Sequence, residues 1–144
     1  MPQANDAELT ELYTSAPGLD VEDNEPNTGA PGGPPTANFQ LHLEAVAGNV
    51  IGNGGGNYRL EITCIDETLA APNPSMSPGV LNQQFLNTDG WQAGGPAGNF
   101  LKEQVFNINV DNNARGHVLR YVATMVSAGR DVVSFIESNR FILV

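Results

Sequence analysis

The chain has 144 residues and a formal net charge of −10, with six basic residues against sixteen acidic ones. That balance excludes nucleic-acid binding, which needs clustered Lys and Arg to displace phosphate counterions, and attraction to anionic membrane surfaces. Charged residues make up only 15% of the chain, while Gly 16 and Pro 10 mark many turns, a composition that fits a sandwich or barrel and not a helix bundle.

The first 37 residues read as an arm. They hold Asp6, Glu8, Glu11, Asp20, Glu22, Asp23 and Glu25 and no base. Pro26 to Pro35 is too rich in Pro and Gly for helix or ladder. The extreme N-terminus has neither the basic region nor the apolar core of a secretion signal. The cytoplasm or an assembled particle is the favoured setting, without being assigned. One short helix is expected from Asn5 to Tyr13, capped by Asn5 or Asp6, with Leu9, Leu12 and Tyr13 on one face.

Residues 38–144 read as the folded body. Phe39 to Ala45 alternates, with Phe39, Leu41, Leu43 and Ala45 inward and Gln40, His42 and Glu44 outward. Tyr58 to Cys64 alternates again, with Tyr58, Leu60, Ile62 and Cys64 inward. The Gly-rich run Gly52 to Asn57 between them is expected to be a hairpin loop. It lacks the Lys and following helix of a phosphate loop.

Ala70 to Pro78 is a connector. Val80 to Leu86 is a weaker strand, and Asp89 to Asn99 is a loop. In Phe100 to Val110, Phe106, Ile108 and Val110 alternate. Asp111 to Gly116 is a turn. His117 to Val126 is a strong strand with Leu119, Tyr121, Ala123 and Met125 on one face. Asp131 to Glu137 returns, and Phe141 to Val144 closes the chain. The expected fold is all-β, an immunoglobulin-like or jelly-roll sandwich of about seven antiparallel strands with an extended N-terminal arm. Strand and helix do not alternate as nucleotide-binding α/β folds require.

No local motif names a reaction. Cys64, the one cysteine, sits in an apolar run and reads as a small buried hydrophobe. His42 and Glu44 share a strand face but make too sparse a set for a metal. Asp111-Asn112-Asn113 lacks the following Glu of a helix–loop–helix calcium loop, the acid run Asp20 to Glu25 could gather a cation only if the arm folds back, and with a solvated turn and a solvated arm as the default no cofactor is expected. There is no nucleophile elbow.

These observations lead to a non-enzymatic structural or interaction module. Its arm and edge strands would mediate assembly with itself or a protein partner. The assembly candidates are Leu9, Leu12, Tyr13 and Leu19 in the arm and Phe141, Ile142, Leu143 and Val144 at the C-terminus. A carbohydrate-binding sandwich is the first alternative. Trp91 lies in the polar stretch Asn87 to Gln92, where an exposed ring could stack on a sugar with Asn87 and Asp89 beside it. An enzyme whose site is assembled from distant residues is the second, and a carboxylate with a strongly raised pKa would favour it.

Overall fold

In a computed structural model the described residues are 6–129 and 132–144. The strands in chain order are β1 (Ala7–Ser15), β2 (Asn38–Ala47), β3 (Asn57–Asp66), β4 (Ala71–Asn73), β5 (Gly79–Gln84), β6 (Trp91–Ala93), β7 (Phe100–Asn109), β8 (Val118–Ser127), β9 (Val133–Glu137) and β10 (Phe141–Ile142). They form two antiparallel sheets, consistent with a β-sandwich. One has the order β1-β2-β7-β6. In the other, β8 and β3 are central, with β9 and β10 along the far side of β8 and β5 and β4 along the far side of β3.

The alternation in the sequence builds the core. Phe39, Leu41, Leu43 and Ala45 from β2 meet Tyr58, Leu60, Ile62 and Cys64 from β3 and Leu119, Tyr121, Ala123 and Met125 from β8, all buried. Each side chain points alternately to opposite faces of its sheet, so one apolar set per strand suffices to fill the interior.

Several expectations are corrected. The segment expected to be helical up to Tyr13 is strand β1 from Ala7 onward, while Asn5 lies outside the described residues. A bulge between Leu9 and Glu11 shifts the register against β2. The inward residues Leu9 and Leu12 are therefore three apart, which imitates helical spacing. The strands β2 and β3 do not pair as a hairpin; they belong to different sheets.

The run between β2 and β3 is also no hairpin loop. It holds a short helix, α1 (Asn49–Gly54), that carries the chain from one sheet to the other. Gly52 is required there, since a Cβ would fall 2.2 Å from the Phe100 ring. The connector after residue 70 contains β4, and the loop around Trp91 contains β6, so there are more strand segments than the seven expected.

The first 37 residues divide. β1 adds to the edge of its sheet and buries Ala7, Leu9 and Leu12, so this part is not outside the core. Leu9 N–H also donates to Ser134 Oγ on β9 at 2.9 Å, tying the two sheets along one side. The strand-free stretch 16–37 docks on its own body. Asp23 N–H donates to Thr14 O and Ile142 N–H donates to Asn24 O, each at 2.8 Å. The C-terminal run is paired within the chain, with Phe141 opposite Leu119.

Candidate functional site

Of the assembly candidates, Leu9, Leu12, Phe141 and Leu143 are buried core residues and cannot meet a partner without unfolding. Tyr13 is half-buried and stacks on His42, with ring centroids 4.7 Å apart. Leu19, Ile142 and Val144 remain exposed. The eight residues therefore do not form one surface.

The sugar-contact set is also corrected. Asn87 is exposed, but Trp91 is only 3% exposed and offers no free ring face. Its Nε1–H donates to Tyr58 Oη at 3.1 Å, and Tyr58 Oη donates to Gln83 Oε1 at 2.7 Å. Gln83 Nε2 in turn donates to Gln104 Oε1 across the sandwich. Asp89 accepts Gln84 N–H on its carboxylate at 2.7 Å, and its carbonyl accepts Lys102 Nζ. Lys102 points inward from β7, over the Trp91 ring at 6.0 Å. Burial holds its amine below the usual lysine range, against the pull of the Asp89 charge. Trp91 is thus a plug at one end of the core, held by a polar chain.

His42 lies on the outer face of β2, as its spacing assigns, but it is not solvated. It is buried, and its Nε2 meets Ser15 Oγ at 2.8 Å. The Ser15 hydroxyl lies within reach of the carbonyls of Ala16 and Leu19. A hydroxyl has one proton, so with that proton on a carbonyl, Nε2–H must be the donor to Ser15. Ser15 is fully buried. The pair fastens the turn after β1 to the sheet.

Beside it lies the most unusual electrostatic feature of the molecule. On the outer face of the first sheet, Glu11 stands opposite Glu44, and Glu44 opposite Glu103, across three adjacent strands. Like charges directly opposite repel. A hydrogen bond with Glu11, burial, and the charges of Glu11 and Glu103 push the Glu44 carboxyl up to about 7. Glu11 also lines a cleft of about 430 Å³ with Tyr13, Asp20, Glu22, Glu137 and Asn139. Glu44 itself does not line it. Residue spacing could not reveal this row, because it depends on strand register.

A second carboxylate–imidazole contact joins the end of β3 to the start of β8. Asp66 Oδ2 is 2.7 Å from His117 Nδ1, and Asp66 Oδ1 accepts Leu69 N–H. Glu67 next to it binds Arg120 at 3.0 Å and Arg140 at 2.6 Å. The two guanidiniums, Arg140 first, hold its carboxyl below the usual range. These contacts tie the turn after β3 to β8 and to the chain just before β10. No group of three or more His, Cys, Asp or Glu among the described residues could hold a metal ion.

The outer face of the second sheet differs in kind. Val133 is 70% exposed and Phe135 58% exposed on β9. Their cross-strand neighbours on β8 are Val126 and Thr124, and Val122 follows on the same face. Val122 and Val126 are half-buried. A Phe and three Val side by side form an apolar strip on an otherwise acidic protein. The run Val132-Val133-Ser134-Phe135-Ile136 has apolar residues on both faces, so its pattern does not say which of them face water.

Comparison with family models, with curated proteins and with solved structures found no match to this chain. Among the described residues no helix is long and apolar enough to cross a membrane.

Proposed function

We propose that this chain is a non-enzymatic interaction module that docks a protein surface, its own or a partner's, on the outer face of the β9-β8-β3 sheet. One observation carries the reading. Phe135 and Val133 stand exposed beside Val122 and Val126, where an isolated soluble domain gains nothing from placing them. Buried at an interface, an aromatic anchor with aliphatic neighbours has the composition of a binding hot spot. The finer fold reading is immunoglobulin-like. The orders β1-β2-β7-β6 and β9-β8-β3-β5 correspond to the A-B-E-D and G-F-C-C′ arrangement of such domains. The disulfide of antibody domains has no counterpart, since Cys64 is the one cysteine.

The test is a photo-crosslinking residue at position 135 in the full chain, expressed in its native cells. A covalent adduct with a protein is expected there and not from the same probe at exposed Thr10. Absence of any adduct at 135 overturns the reading.

A second reading, acid–base chemistry, is favoured by Glu44 alone. A carboxyl that titrates near neutrality suits a proton donor or acceptor. A panel of chromogenic glycosides and esters tests it. Turnover lost in Glu44→Gln supports that reading, and a silent wild-type protein ends it.

A further inference from the structure

The edge of the first sheet is incomplete on the side away from β1. β6 pairs with β7 through Phe100, Leu101 and Lys102 only. Below that point, Glu103 to Asn109 has β2 on one side and no strand on the other among the described residues. Val110 N–H donates to Ala37 O, which puts the even-numbered residues' backbone groups toward β2. In an antiparallel ladder the alternate residues point the other way. The N–H and C=O groups of Val105, Asn107 and Asn109 therefore face outward along the free edge. That edge opens on a groove of about 460 Å³ lined by Ser75 to Pro78 and Val105 to Asn109.

Sheet edges of this kind are ordinarily blunted by Lys, Pro or an inward charge. Here Gln104 to Asn109 contains none of these, and the facing wall from Ser75 to Pro78 carries no charge and a single Pro, Pro78. The acids Glu8, Glu11, Asp20, Glu22 and Glu137 lie on β1, β9 and the stretch after β1, at the opposite side of the sandwich. For a chain of net charge −10, a second identical copy meets little repulsion along the stretch from Gln104 to Asn109, which carries no charge.

We infer that two copies pair antiparallel through β7, about a two-fold axis at Asn107. The register follows from symmetry. Asn107 faces its own counterpart, Val105 faces Asn109, and Phe106 faces Ile108. The three outward-facing residues of each copy then complete six backbone hydrogen bonds. Gln40 Nε2 already donates to Asn107 Oδ1 at 3.0 Å. The Asn107 amide retains its own NH₂ to donate to the other copy's Oδ1, which has a second lone pair. The ladder stops there, because the next pair would set Glu103 against Asp111. Salt screens that pair and tightens the dimer. This interface is separate from the Phe135 face and stands or falls without it.

Sedimentation equilibrium of the full chain tests it, together with Asn107→Cys and Asn107→Asp. A hydrogen-bonded antiparallel pair holds its Cα atoms about 5.5 Å apart, inside the range of about 4.4–6.8 Å that a disulfide spans. Oxidised N107C is expected to run as a covalent dimer, while exposed Asn82→Cys, on the edge of the other sheet, stays monomeric. N107D places two carboxylates face to face and is expected to weaken the dimer about tenfold at low salt. A wild-type chain that stays monomeric to millimolar concentration overturns the inference. So does a dimer that N107C fails to crosslink and N107D leaves unchanged; that outcome leaves the Phe135 reading intact.

Discussion

Asn27 holds the backbone of Val144 by both of its polar groups: Asn27 Nδ2 donates to Val144 O at 2.8 Å, and Val144 N–H donates to Asn27 Oδ1 at 3.0 Å. The two residues are 117 positions apart. Asn27 is fully buried although it sits in a Pro/Gly-rich stretch without strands. The side chain thus stands in for a neighbouring strand and seals the end of the sandwich next to buried Leu143.

Asn27→Ala leaves both Val144 groups without this partner, at a cost of about 1–3 kcal/mol. Urea unfolding of the variant is expected to show a lower midpoint with an unchanged slope. Asn27→Asp is expected to be worse, because a carboxylate then faces the Val144 carbonyl. An unchanged midpoint in both variants shows that the strap from Ala16 to Ala37 carries no stability.

The polar chain at Trp91 makes a second expectation. Tyr58→Phe removes the acceptor of Trp91 Nε1–H and the donor to Gln83 Oε1. A buried donor on Trp91 and a half-buried acceptor on Gln83 lose their partners together, which costs about 1–3 kcal/mol. Because Trp91 is enclosed, its fluorescence is expected to be blue-shifted and insensitive to added sugars. Quenching by a sugar would return Trp91 to the candidates for a binding face.

The regular strands were legible because period-two alternation needs no knowledge of partners. Phe39 to Ala45, Tyr58 to Cys64 and Leu119 to Met125 bury the residues their spacing assigns inward. Partners are another matter. Alternation says that β2 and β3 each face a core, and it is silent on which sheet holds each. A loop of Gly and Asn suits a hairpin and a crossover equally well. β1 was misread because its bulge turns a two-residue period into a three-residue one. Trp91 was misread because polar neighbours in sequence are solvent-facing here, while Tyr58 and Lys102 close over the ring from elsewhere. The Glu11–Glu44–Glu103 row and the β7 edge follow from register, which composition does not encode.

That glutamate row makes stability depend on pH. Glu44 titrates near 7 in the folded chain, above the usual glutamate value of 4.5. The folded state therefore holds this proton more tightly than the unfolded state does. The advantage is complete below about pH 4.5 and is lost as pH rises through about 7. Denaturant midpoints are expected to fall from pH 5 to pH 8, by an amount worth about 1 kcal/mol once solvent screening is allowed for. Glu44→Gln is expected to abolish this decline and to be the more stable protein at pH 8. A wild-type profile that rises over the same interval contradicts the raised Glu44 carboxyl.

Cys64 offers a measure of how the core opens. The thiol is fully buried between the sheets, and its backbone N–H donates to Ser77 Oγ at 2.8 Å. Burial pushes the thiol up to about 12, with a nearby Asp66 charge adding to the effect. Only the thiolate attacks a disulfide reagent. At pH 8 the native thiol is thus both neutral and enclosed. Labelling by an aromatic disulfide is expected to proceed only through opening of β3 from β8, at a rate that rises with denaturant in step with unfolding. Tyr121→Phe deletes the hydrogen bond its hydroxyl makes to Met76 O at 2.8 Å, and it is expected to accelerate that labelling by about tenfold, the equivalent of about 1.4 kcal/mol in the opening equilibrium. Rapid stoichiometric labelling of the native wild-type chain at pH 8 would mean that the β3–β8 pairing at the centre of the sheet is not closed in solution.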